Sequence, residues 1–326
     1  MKSRSTRVWL FAAILTTTAL VQPVHAQQSY PNKPIKVLVG FGAGSGTDIL
    51  ARIIAEEMSA VLKQPMVVDN RPGASAQIAA AAAAKAPADG YTLFFSPSSP
   101  MVINPHVFKT LPYNPLTDFT AIGGVGNYPW VLAVDANLPV RTPQELVAYA
   151  HANKGKLNYG YGTQAVRIPA EALNKLAKLE ATGIPYKSSP DAMIDVIGGR
   201  VQFLVVDLAA AQTHLQSGRL RALAVTMSKR TELAPDLPTI EETLGIADFD
   251  LSAWAALFGP ANMPKEVVDK LSTTLQRVLA NPEVRKKITA AGAEVNPTDG
   301  PTMAATVKRS FQIWGRKVAD AGIEPE

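Results

Sequence analysis

The sequence predicts an α/β protein of two lobes, joined by two crossover segments, with a ligand cleft between them. Three observations lead there. Short β-rich runs alternate with helical patterns, and the alternation restarts near residue 126. The chain then ends in a helical tail of about 70 residues, too small to hold a core alone, so it is expected to pack back onto the first unit. The first lobe is therefore expected to take residues 27–125 with 251–326, and the second 126–250. An interface of this kind is a preferred place for a small ligand.

The elements follow in chain order. Ile35 to Gly40 (IKVLVG) is a branched apolar run of the kind a buried parallel strand needs. Ile49, Leu50, Ile53, Ile54, Met58, Val61 and Leu62 recur at helical spacing and predict a helix over Thr47 to Leu62. Met66 to Val68 reads as a strand, Ala76 to Ala86 as an alanine-rich helix, and Thr92 to Phe95 as a third strand. This βαβαβ order implies a parallel sheet with helices on both faces. In the second unit Trp130 to Val134, Leu157 to Gly160, Gly183 to Tyr186, Val201 to Val206 and Leu220 to Thr226 read as strands. Helices are expected from the Thr142–Glu145 capping box, over Pro169 to Lys178, over Pro190 to Ile197 and near Ala209 to Gln216. Ser252 to Phe258 looks like a further strand, and three helices near 264–280, 282–291 and 301–321 close the chain.

Composition removes several function classes. A hydrophobic share of 47% excludes disorder over the whole chain, and the absence of cysteine excludes a disulfide scaffold. Lys2, Arg4 and Arg7 precede an apolar run from Val8 to Leu20, and Val24-His25-Ala26 is a small-residue cleavage pattern. That is the order of a secretory signal peptide over residues 1–26, and the run is too short for a comfortable membrane span. Cleavage leaves 300 residues and takes away three of 32 basic residues and no acidic one, so the mature balance falls from +5 to +2. A nucleic-acid partner would need a clustered basic face. His106, His151 and His214 lack metal-ligand spacing, and neither a metal nor a cofactor is expected.

The most informative local feature is Gly40-Phe41-Gly42-Ala43-Gly44-Ser45-Gly46-Thr47-Asp48, which joins a strand to a helix. Glycines let backbone N–H groups turn inward, and a helix N-terminus adds partial positive charge, so the loop could form an anion-binding nest. A dinucleotide fingerprint needs G-x-G-x-x-G, and the spacing here is G-x-G-x-G; a P-loop needs Lys-Ser or Lys-Thr, which is absent. A plain tight turn capped by Thr47 or Asp48 remains open. A second loop, Tyr159-Gly160-Tyr161-Gly162-Thr163-Gln164, follows a strand of the second unit and could face the first. Asp207 could reach the same cleft or cap the next helix. Ser96, Ser98 and Ser99 could line the cleft or satisfy loop backbone. No G-x-S-x-G elbow, H-E-x-x-H or cysteine nucleophile points to catalysis, so a binding protein is favoured over an enzyme.

At these residues the chain resembles the tripartite tricarboxylate transporter substrate-binding proteins, the Bug or TctC family. The matching stretches are Tyr30 to Ile35 (YPNKPI), the loop Phe41 to Asp48 with Ala51-Arg52, Val67 to Ala74 (VVDNRPGA), Asp89 to Leu93 (DGYTL) and Tyr113-Asn114-Pro115 with Asp118-Phe119. They continue through Gly155 to Gly160 (GKLNYG), Ile184 to Lys187 (IPYK), Gly198-Gly199, Leu220 to Val225 (LRALAV), Pro238-Thr239 and Trp254. The resemblance implies a periplasmic binding protein of the two-lobe, type II-like kind. It would capture small organic carboxylates through backbone amides of two facing loops and pass them to a membrane permease. Ala43-Gly44-Ser45 stands where the family has Pro-Gly-Gly. Gly162 to Arg167 is shorter than its family counterpart and lacks a histidine. Arg167 could grip a carboxylate with two prongs or stand as an exposed arginine at a helix start. The expected mode is lobe closure by a monomer around an unchanged acid. A sensor partner for a membrane kinase and a periplasmic enzyme are the other readings.

Overall fold

The computed structural model describes residues 30–186 and 188–325. The leader expected at residues 1–26 lies outside them. Ile35–Val39 forms β1, with four of its five side chains buried, and pairs in parallel with β2 (Met66–Asn70) and β3 (Thr92–Pro97). Helix α1 (Gly46–Leu62) covers one face through Leu50, Ile54, Met58 and Leu62, and α2 (Gln77–Ala84) lies on the other through Ala79, Ala80 and Ala83. A turn at Ser99–Ile103 and a short helix α3 (Asn104–Val107) lead to β4 (Phe119–Tyr128).

The second sheet starts at β5 (Trp130–Asp135) and continues through α4 (Pro143–Ala152), β6 (Asn158–Tyr161), α5 (Gln164–Leu176), β7 (Thr182–Pro185) and α6 (Ser189–Ile197). Then come β8 (Phe203–Asp207), α7 (Leu208–Gln216), β9 (Leu220–Val225) and α8 (Ile240–Leu244). The chain returns to the first sheet as β10 (Ala253–Pro260), α9 (Lys265–Leu279), α10 (Pro282–Ala290), β11 (Glu294–Asp299) and α11 (Gly300–Asp320). The strand orders are β11-β4-β10-β3-β1-β2 and β7-β6-β8-β5-β9.

Strands β1, β2 and β3 are parallel, as their βαβαβ order implies, but the strands added beyond them make both sheets mixed. Strand β10 enters from the other lobe and runs antiparallel to β3 and β4, and β11 runs antiparallel to β4. Likewise β5 is antiparallel to β8 and β9, while β6 is parallel to β7 and β8. Strand β11 stands inside the tail expected to be helical. Its Pro297 is tolerated because the strand lies at the sheet edge. Helix α5 begins five residues before the expected Pro169, which falls inside it. At α4 the Thr142 hydroxyl accepts the Glu145 N–H at 3.1 Å, but the Glu145 carboxylate takes the N–H of Arg141 rather than that of Thr142.

Two crossings join the lobes. One is the short step from Tyr128 through Pro129 to Trp130, and the other runs from Thr226 to Ser252 into β10. They are tied together: the Thr226 N–H donates to the Trp130 carbonyl at 3.0 Å, and the Leu251 N–H to the Thr226 carbonyl at 2.9 Å. A hydrophobic cluster continues across the crossing, from Phe94 and Met101 through Trp314 and Trp130 to Tyr159 and Phe203. Helix α11 thus braces both sheets, and Arg316 adds an ion pair to Asp248 at 3.1 Å.

Candidate ligand-binding cleft

Parallel pairing sets which loops can meet. Strands β1 and β3 end at one edge of the first sheet, so the glycine turn and Ser98–Ser99 emerge together. Strands β6 and β8 are parallel as well, so Tyr161 and Asp207 leave the second sheet at a common edge. Between the lobes lies a cavity of about 380 Å³. The first lobe contributes Phe41, Ser45, Gly46, Thr47, Pro97, Ser99, Ala253, Ala291 and Gly292, and the second Asp207, Ala209 and Ala210. Tyr128 and Trp130 line it from the crossing. A second groove of about 400 Å³, between β4, β11, α11 and residues 227–232, contains none of the residues singled out from the sequence as candidate ligand contacts.

The glycine turn is fastened from behind. The Gly44 N–H donates to Asp48 Oδ2 at 2.8 Å, and the Ser45 N–H to the Gly42 carbonyl at 3.1 Å. Ser45 is the N-cap of α1, its hydroxyl accepting the Asp48 N–H. Asp48 is 2% exposed and lies away from the cavity, bonded to Arg52 and Asn70. Gly42, Ala43 and Gly44 are exposed and do not line the cavity. The cavity therefore meets Gly46 and Thr47, whose first-turn amides have no partner within the helix.

The serines divide. Ser96 is buried and its hydroxyl donates to the Pro97 carbonyl at 2.8 Å, whereas Ser99 lines the cavity. Ser98 is fully buried between two lining residues, and its hydroxyl has no hydrogen-bond partner among the described residues.

Asp207 sits at the N-cap position of α7 but makes no cap hydrogen bond. It stands opposite Trp130 in the β5–β8 ladder and accepts a hydrogen bond from that side chain. Burial pushes its carboxyl up to about 6, and the Trp130 bond only partly offsets this. Burial also raises the Tyr128 phenol; a hydrogen bond with Thr47 works against that rise and the Asp207 charge adds to it. Sequence reasoning misses Tyr128 and Trp130. Two aromatic residues flanking a proline at the break between units, YPW, are the available signal.

The second loop stands outside the cavity. Gly162 is required by packing, since a side chain there would overlap the backbone of Ser188 and Ser189. Thr163 is the N-cap of α5, and Gln164 is its first residue. Arg167 turns toward its own helix and strand. Its Nη1 lies 3.4 Å from Gln164 Oε1, and its guanidinium 5.2 Å from the centre of the Tyr161 ring. Its Nε is buried with no partner among the described residues.

A profile described as the tripartite tricarboxylate transporter family receptor, TctC, matches residues 50–323. The chain belongs to the TctC family. It is 33% identical to R. palustris Rpa4515, solved with adipate, over 91% of this chain and 100% of that one, with a TM-score of 0.77. The periplasmic binding protein BugD is 32% identical over 91% of this chain and 100% of its own, TM-score 0.73. MatC from Rhodopseudomonas palustris, with bound malate, is 29% identical over 89% of this chain and 100% of its own, TM-score 0.72. This TctC protein is thus a solute-binding receptor by family rather than an enzyme, and its relative BugD is a periplasmic binding protein. No helix among its described residues is long and apolar enough to cross a membrane.

Proposed function

We propose that this TctC protein captures a small organic carboxylate between its lobes and delivers it to the membrane permease of a tripartite tricarboxylate-type transporter. One observation carries the reading: the N-terminal turn of α1, at Gly46 and Thr47, lines the inter-lobe cavity to which the second lobe brings Asp207, Ala209 and Ala210. Unpaired first-turn amides and the helix dipole favour an anion without any arginine or lysine. The adipate and malate held by two relatives are acids of the expected class. The hinge segments are Tyr128–Trp130 and residues 226–252, between the lobe built on the β11-β4-β10-β3-β1-β2 sheet and the lobe built on the β7-β6-β8-β5-β9 sheet; β4 runs on to Tyr128, so the first boundary falls three residues beyond the expected 125. Closure brings the Tyr161–Gln164 rim over the acid, because that loop shares a sheet edge with Asp207. Interactions that the ligand makes only in the closed form are what drive closure. The protein works as a monomer, exported by cleavage after Ala26.

The test is a thermal-shift panel of carboxylates on the mature protein. A ligand at 100 times its dissociation constant adds about 2.7 kcal/mol of stability. Gly46→Pro then removes one amide at a position that tolerates proline. Ser45 before it is already extended (φ −67°, ψ 156°), and the nearest atom to a new Cβ is Tyr128 Cε1 at 3.9 Å. Binding should weaken at least tenfold, with Gly46→Ala as the control that keeps the amide. A panel with no stabilising acid, or a proline variant of unchanged affinity, would overturn the reading.

A further inference from the structure

Among the described residues that line the inter-lobe cavity, Asp207 alone carries a formal charge, and the charge is negative. No cation figures among the groups that act on it; its partner is the neutral Trp130 indole. Nor is the carboxylate used by its own helix, since it makes no cap bond at α7. The Tyr128 hydroxyl, the other titratable group on the wall, is engaged toward Thr47 and the Gly46 carbonyl. An anion drawn in by the α1 amides therefore shares a small cavity with a second carboxylate and no countercharge. Like charges in such a place disfavour one another strongly. A bare diacid would bring two negative charges to a wall that already has one.

Building on the carboxylate-capture reading above, we propose that the preferred ligand carries a hydrogen-bond donor beside its carboxylate, an ammonium before a hydroxyl, and that Asp207 accepts from it. Asp207 is then the specificity-determining residue, selecting amino acids over unsubstituted diacids of equal length. Burial, which raises this carboxyl, fits a group placed to meet a cationic partner.

Three matched series test this at pH 7.5 by calorimetric titration of the mature protein. They are succinate, malate and aspartate; glutarate, 2-hydroxyglutarate and glutamate; and adipate, 2-hydroxyadipate and 2-aminoadipate. In the series that binds, the amino member should bind at least tenfold more tightly than the bare diacid, with the hydroxy member between. Asp207→Asn keeps an oxygen for the Trp130 indole while removing the charge, and it should cut that ratio below threefold. The wild-type ranking stands without the variant. A bare diacid that binds as tightly as its amino counterpart overturns the inference and leaves carboxylate capture intact. So does an Asp207→Asn protein with an unchanged ratio. No binding in any series counts against capture of four- to six-carbon acids and takes this inference with it.

Discussion

The Gly44 N–H lies 2.8 Å from Asp48 Oδ2, so the glycine turn is closed by the helix that it starts. The same carboxylate accepts from Arg52 Nε at 3.0 Å and from Asn70 Nδ2 at 2.8 Å. Asn70 also donates to the Phe41 carbonyl at 2.9 Å, which ties β2 to the start of the turn. The glycines thus fold a loop whose own amides are partly consumed, and the amides left for the cavity belong to the helix beyond it.

Asp48→Ala should cost about 2–3 kcal/mol in a urea titration, because it strips three donors of their acceptor. Burial alone would raise the Asp48 carboxyl, but the bonds from Arg52, Gly44 and Asn70 outweigh it and hold the group below its ordinary range. A depressed folded value means the stabilisation is complete above the unfolded value and is lost as pH falls through the folded one. The gap between wild type and variant should therefore close in strong acid. A gap independent of pH would show that the charge is not what fastens the turn.

Asp207 works in the opposite sense. Its folded value is raised to about 6 from an ordinary 3.8, so the folded protein holds this proton more firmly than the unfolded chain. Stability from this group accordingly falls as pH rises from about 4 to about 6 and is level above. Asp207→Asn should stabilise the ligand-free protein by roughly 1–3 kcal/mol at pH 7.5 and by nothing at pH 4. Urea midpoints at the two pH values decide it. An equal gain at both would assign the effect to packing instead of charge.

Much of the fold was legible because burial periodicity is local. Ile35–Val39 and Leu50 to Leu62 reveal strand and helix in their own spacing. The stretch Phe119–Tyr128 (FTAIGGVGNY) did not, since its glycines resemble a loop. They are there because β11 lies close: a Cβ on Gly123 would stand 2.7 Å from the Thr298 carbonyl oxygen. That reason sits some 170 residues away and leaves no local trace. The site divides similarly. The glycine turn can be placed from sequence, but which of its amides are free depends on Asp48 and Asn70 folding back on it. Ala291 and Gly292 reach the cavity only through tertiary packing.

Trp314 is 1% exposed and meets Trp130 edge-on, with ring centres 6.2 Å apart. One ring belongs to α11 and the other to the crossing between lobes. Trp314→Ala should cost about 3–5 kcal/mol, the usual range for emptying a large aromatic site. Because the cluster is continuous, both lobes should unfold in one transition in the wild type and separate into two in the variant. Tryptophan fluorescence, which in the variant comes from Trp130 in one sheet and Trp254 in the other, and circular dichroism, followed through the same urea series, would read this; a single coincident transition in the variant would contradict it.

Gly292 ends α10 in the left-handed region, at φ +82°, and a Cβ there would overlap the Ala209 side chain across the lobe boundary. Gly292→Ala therefore has two effects. The backbone effect, about 1–2 kcal/mol for an L-residue in that region, acts on stability. The steric effect acts on closure, because the new methyl is a wedge between α10 and α7. Gly245 separates them: it also has positive φ, +67°, but nothing lies within 4 Å of its would-be Cβ. Gly245→Ala should lose stability alone. Gly292→Ala should also lose at least tenfold in affinity for the best acid of the panel and show a wider solution-scattering envelope with ligand. Adding Ala209→Gly removes the opposing methyl and should return most of the affinity without repairing the backbone strain, a coupling that a mutant cycle measures directly. If the double variant binds no better than Gly292→Ala, the lobes do not close along this contact.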